Sequence, residues 1–156
     1  MLAIKIMFFC MVIIFYSNAI FLKLKYNAKS LSSEWYYLKG NYKYIFPIVT
    51  MIYSTLIIII GLQFTELVLF GVTLFYVAAA PEYLESGTKS VTHFAGAAIA
   101  VIGSQIMLFS LGFAWLSFLF IALTYSLYLL EKKAVVYWAE ICAFTSVVIT
   151  YYFLLF

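Results

Sequence analysis

Glu140 and His93 are the residues on which any chemistry of this chain would turn. Both are ionisable groups set in or at the edge of long apolar runs, where such groups are costly and commonly functional. At ~1.5 Å per residue, Glu140 lies roughly nine or ten Å past the start of the run Ala134–Phe156. A carboxylate at that depth needs either a partner or a proton, because desolvation disfavours its charged form. His93, the single histidine, opens the run Val91–Leu111 at the same end of the molecule, so a Glu140–His93 contact is geometrically open. One reading is a polar-ligand or proton-linked site, to which Gln105 adds a further polar group. The other is an interhelical hydrogen bond that only fixes packing.

Catalysis finds little to work with. One histidine cannot build a multi-histidine zinc centre, and the absence of aspartate removes the usual third ligands. No nucleophile elbow, glycine-rich phosphate loop or paired carboxylate motif is present. Ser86, Ser90 and Thr92 stand near His93, but only Glu82 or Glu85 could orient such a pair. The expectation is a protein without enzymatic activity, without metal and without cofactor. Arginine is absent too, which removes the planar fork suited to bidentate phosphate capture. No basic and aromatic array sits on a soluble platform, so nucleic acid is not an expected partner.

The elements that must position these groups are set by composition. Of 156 residues, 67% are hydrophobic and 10% charged, with mean hydropathy +1.11. Soluble domains average about 45–50% apolar and about 25% charged residues. Lipid must therefore act as the solvent, and only helices or closed barrels satisfy their backbone there. Spanning helices need roughly 20 apolar residues. On that basis the runs are Leu2–Leu22, Tyr44–Gly61, Thr65–Ala80, Val91–Leu111, Phe113–Leu130 and Ala134–Phe156. They make an all-α integral membrane protein, a bundle of six transmembrane helices in one domain with no soluble part. The third run is short, and its start would extend toward Leu62. Gly61–Phe64 and Gly112 leave room only for antiparallel hairpins.

Charge orients the bundle. Lys23, Lys25, Lys29, Lys39 and Lys43 follow the first run, Lys89 the third, and Lys132 and Lys133 the fifth. Lysine-rich short loops stay cytoplasmic, so both termini are expected outside, in a bacterial inner (plasma) membrane. Lys5 breaks that rule. Glu66 has a matching depth near the outer end of the third run, and an ion pair between them would explain it. The start of the chain imitates a signal peptide, with Ser17-Asn18-Ala19 after an apolar stretch, but the run resumes at Ile20-Phe21-Leu22. It reads as an uncleaved first helix. Cys10 and Cys142 lie inside apolar runs and behave as small hydrophobes, not as a disulfide.

Two further segments stand out. Ser32-Ser33-Glu34-Trp35-Tyr36-Tyr37-Leu38 reads as a short interfacial helix with serine at its N-cap, either a gate or a connector resting on the bilayer. In the fourth run Gly96, Ala100 and Ser104 recur at four-residue spacing, with Gly103 beside them. Such small residues let another helix approach closely, either within the core or in a homo-oligomer.

The stretch Val91-Thr92-His93-Phe94-Ala95-Gly96-Ala97, with Gln105 beyond it, resembles the start of the fourth helix in the DRAM/FRAG/Sfk group of six-helix membrane proteins. Ala79-Ala80-Pro81 and Trp138-x-Glu140-x-x-Ala143-Phe144 are similar to segments of small uncharacterised membrane proteins of bacteria and their phages. The resemblance implies a fold more than an activity. The long outer loop of the eukaryotic members has no counterpart, since the long loop here falls on the lysine-rich side. The modest positive charge, confined to one side, fits attraction to anionic headgroups, so membrane lipids are the expected partners. The expected function is the binding of a lipid or small amphipathic ligand near the inner leaflet. An oligomeric pore or membrane-perturbing effector is the alternative.

Overall fold

In the computed structural model, which describes residues 2–63, 68–84 and 87–156, each of the six apolar runs is helical over most of its described part. The order is α1 (Leu2–Tyr26), α2 (Glu34–Tyr37), a 3-10 turn (Gly40–Tyr44), α3 (Ile45–Gly61), α4 (Val68–Ala79), α5 (Thr88–Ser110), α6 (Ala114–Leu130), a second 3-10 turn (Lys132–Ala134) and α7 (Val135–Leu155). No strand occurs among the described residues. Among the described residues, four spans are long and apolar enough to cross a membrane: Leu2–Tyr26, Gly40–Gly61, Thr88–Ser110 and Lys132–Leu155. Val68–Ala79 and Ala114–Leu130 are shorter apolar helices.

Helix α1 continues one turn beyond the expected Leu22, because Lys23 and Lys25 suit the negative end of a helix. Asn27, at φ 49°, then turns the chain. The Ala28 N–H reaches back to the Leu22 carbonyl, a helix ending that asparagine tolerates well.

Helices α3, α4 and α5 pack in succession, α1 lies against α3, and α7 packs on α5 and α6. Close approach rests on two glycines. A Cβ on Gly71 would stand 2.7 Å from Ile58 Cγ1 and 2.9 Å from the Ser54 carbonyl of α3. One on Gly96 would stand 2.9 Å from Tyr76 Cβ and 3.1 Å from the Thr73 carbonyl of α4. The interior is aromatic at its centre, with Phe15 stacked on Phe144 at 3.4 Å and Tyr53 edge-on to both.

Lipid tails are as apolar as side chains, so packing and interhelical hydrogen bonds must hold such a bundle. Helix α7 supplies most of the latter. Tyr16 of α1 shares a 2.6 Å bond with Thr145, Gln105 of α5 donates to Ser146 at 3.0 Å, and the Tyr151 hydroxyl donates to the Ile57 carbonyl of α3 at 3.1 Å. Only Leu116, Ser117 and Phe120 of α6 are buried, so this helix docks through its first half.

Candidate functional site

The segment after α1 does not rest on the surface. Its backbone is stitched to the start of α7: the Tyr137 N–H donates to the Lys29 carbonyl at 2.9 Å, and the Leu31 N–H donates to Glu140 Oε2 at 2.7 Å. Tyr137 adds a 2.9 Å bond from its hydroxyl to the Ala19 carbonyl. Irregular backbone at a membrane boundary must be satisfied in this way. Ser30 and Ser32 are buried as a result. Ser33 takes the N-cap position of α2, yet its hydroxyl donates to the Ser30 carbonyl at 2.5 Å and caps nothing.

Glu34 follows, fully buried, and Trp35 nearly so. Of the two readings of this segment, a gate or a connector resting on the bilayer, the second does not describe it, since Ser30, Ser32, Glu34 and Trp35 are buried. Asn18 Nδ2 donates to Glu34 Oε2 at 2.9 Å, while Glu34 Oε1 is buried without a partner. Burial pushes the Glu34 carboxyl above its ordinary range, and the Asn18 bond pulls the other way. A proton held more tightly in the folded than in the unfolded state stabilises most at low pH, below the unfolded carboxylate range. That contribution is lost as pH rises through the raised folded value. Thermal unfolding from about pH 4 upward should show wild-type protein losing stability relative to Glu34→Gln as pH rises. Parallel profiles for the two proteins would refute the assignment.

Glu140 and His93 are not brought together: no hydrogen bond or ion pair joins them. Glu140 holds Leu31 and lines a small cavity of about 50 Å³, with Leu31, Ser32, Tyr53 and Val77 among its walls. At ~10–15 Å³ per water on this measure, the space suits a few waters and no larger guest. His93 is buried elsewhere, with Nδ1 2.9 Å from the Ala80 carbonyl and 3.2 Å from that of Val77. Its ring stacks on Tyr83 at 4.4 Å. The reason is local. Val77 would normally receive the N–H four residues on, but that residue is Pro81, which has none. His93 supplies the missing donor.

Gln105 faces a different space. Its Nε2 donates to Ser104 Oγ at 3.1 Å as well as to Ser146 Oγ. Both serine protons go to backbone carbonyls, of Val101 and Ala143, so each hydroxyl can accept from the amide. Gln105 Oε1 is left buried and unpartnered. Gln105 borders a cleft of about 330 Å³ between α5 and α6, floored by Ala139, Cys142 and Ala143 of α7. On its α6 side, Ile121 and Tyr125 line the cleft and remain exposed. Val101 and Ala143 wall both the cleft and the Glu140 cavity.

Ala100 and Ser104 are buried inside the chain, as is Gly96. Gly103 takes no part in that contact, since a Cβ there would meet only Ile99 Cγ2 of its own helix, at 3.7 Å. Lys5 sits 4.1 Å over the Phe156 ring, and the expected Lys5–Glu66 pair falls outside the described residues because of Glu66. Both cysteines are free thiols. Among the described residues, no three His, Cys, Asp or Glu side chains converge as metal ligands would. Comparison of the chain with protein-family models, curated proteins and solved structures gave no match.

Proposed function

We propose that this chain is a six-helix protein of a bacterial inner membrane that binds a lipid or small amphipathic ligand and carries out no catalysis. In this reading the lysine-rich loops are cytoplasmic and both termini lie outside. The resemblance carried by Val91–Gln105 agrees with six helices. The observation that carries the function is the α5–α6 cleft. Its volume of about 330 Å³ falls at the lower end of ligand sites, roughly 300–1,000 Å³. It runs from Val135 and Tyr128, at the lysine-rich end, toward Gln105. An apolar chain would lie on the small residues Ala139 and Ala143, and Gln105 Oε1 would accept from a hydroxyl or amide of the ligand. Glu140 stands behind this site, in the adjoining cavity, and His93 lines neither space. The alternative, an oligomeric pore assembled through Gly96, Ala100 and Ser104, needs a surface that the chain uses internally.

Ala139→Phe fills the cleft from its floor. Native mass spectrometry after exchange into mild detergent should find a retained ligand on the wild type. The variant should retain it at least about tenfold less, a loss of about 1.4 kcal/mol. A wild type that carries no adduct, or a variant that carries the same one, would overturn the reading.

A further inference from the structure

A further concavity, of about 510 Å³, lies at the lysine-rich end where α1 finishes and α3 begins. Asn18, Glu34, Lys25 and Lys39 line it together with Tyr26, Tyr37 and Tyr42. None of these residues borders the α5–α6 cleft. Three features define what it could hold. Glu34 is completely buried and its Oε1 has no partner, so a hydrogen-bond donor is missing. An unsatisfied buried acceptor is costly, and a charged one more so. The donor needs positive charge to suit a carboxylate, and the stacked rings of Tyr26 and Tyr37 border the same space, with Lys25 lying over Tyr26. A divalent metal is a poor fit, because it takes six or more oxygens and Glu34 is the one acid in the lining.

The lysines require the opposite charge beside that cation. A ligand carrying both, at the depth where apolar helices end, has the chemistry of a zwitterionic headgroup. Choline satisfies the charge but has no N–H to offer Glu34 Oε1. We propose that this groove binds the headgroup of a phospholipid with a primary ammonium, the ammonium on Glu34 and the phosphate toward Lys25 and Lys39. Phe21, Leu38 and Ile45 in the same lining would receive the start of the glycerol and acyl region. The inference rests on the membrane placement proposed above and not on the cleft.

The test uses the full-length protein in detergent and native mass spectrometry. Phosphatidylethanolamine, its N-methyl and N,N-dimethyl forms, phosphatidylcholine and phosphatidylglycerol are compared, all with the same acyl chains. Binding should decline along the methylation series as N–H donors are lost, with ethanolamine about tenfold above choline and glycerol lipids. Glu34→Gln should reduce the ethanolamine-to-choline ratio to near one. Lys25→Ser and Lys39→Ser should weaken both lipids by similar factors. Equal binding across the methylation series overturns the proposal, and so does a Glu34→Gln protein that keeps the preference. Should Glu34→Gln fail to fold, unchanged ethanolamine-lipid binding in both lysine variants overturns it instead. Free phosphoethanolamine is expected to compete weakly, and competition at equal concentration would assign the groove to a soluble amine and overturn the lipid part. Ala139→Phe should leave the headgroup preference intact, which separates failure here from failure of the cleft.

Discussion

Replacing His93 by alanine is expected to cost about 2–4 kcal/mol of stability, from two losses acting together. The first is the donor. Nδ1 lies within hydrogen-bonding distance of two carbonyls at the end of α4, and because both partners are acceptors, Nδ1 must carry the proton. Pro81 cannot replace it, so the alanine variant leaves the Val77 and Ala80 carbonyls without this donor in a buried place. The second is volume. The ring is buried and stacked on Tyr83, and its removal leaves a void that the helices can only partly close. Two further variants divide the effect. His93→Phe keeps most of the bulk without the donor, and His93→Gln restores a donor on a flexible stem. Unfolding midpoints in detergent should rank wild type, then Gln, then Phe and Ala. A phenylalanine variant as stable as wild type would mean that the α4 carbonyls do not need the histidine.

Gly96→Leu should be at least as severe, and Gly103→Leu, seven residues along the same helix, nearly silent. At Gly96 even the first added carbon meets Tyr76 Cβ at 2.9 Å, the Thr73 carbonyl at 3.1 Å and the Val77 nitrogen at 3.3 Å. Two of those three atoms belong to the α4 backbone, which cannot swing aside as a side-chain end can. The helices must separate, and overpacking of this kind costs about 1–3 kcal/mol for modest additions. Leucine adds more, so the expected result is loss of folded protein, with Gly96→Ala intermediate. At Gly103 the nearest atom is 3.7 Å away, and surface changes of that sort stay within about 0.5 kcal/mol. Size-exclusion chromatography and thermal unfolding of the pair give the answer. A Gly96→Leu protein that remains as stable as wild type and only changes oligomeric state would place the ridge between chains rather than within one.

The helical character of the apolar runs was determined by the sequence alone, while two of them, Val68–Ala79 and Ala114–Leu130, are shorter among the described residues than the spans expected from it. A segment in lipid has to satisfy its own backbone, so helix formation depends on residues nearby in the chain and shows as an apolar run. The small ridge of α5 was legible for a related reason, since four-residue spacing already states which side chains share a face. Gly103, beside that face, meets only its own helix, a difference that small-residue composition does not reveal.

The partners of the polar groups were decided by tertiary structure. Glu140 and His93 share a depth, and depth made their pairing attractive. Each was taken by a nearer claim: Glu140 by the Leu31 amide, brought over by the turn at Asn27, and His93 by the Val77 carbonyl, which Pro81 leaves short, together with that of Ala80. The proline was visible in the sequence, and the carbonyl four residues before it could have been recognised as needing a donor. Glu34 could not have been found that way. It begins a four-residue helix that reads as interfacial, and it is buried because residues more than a hundred positions away hold the preceding backbone in place. Burial of a charge depends on where the chain crosses itself, which local patterns of hydrophobicity do not encode.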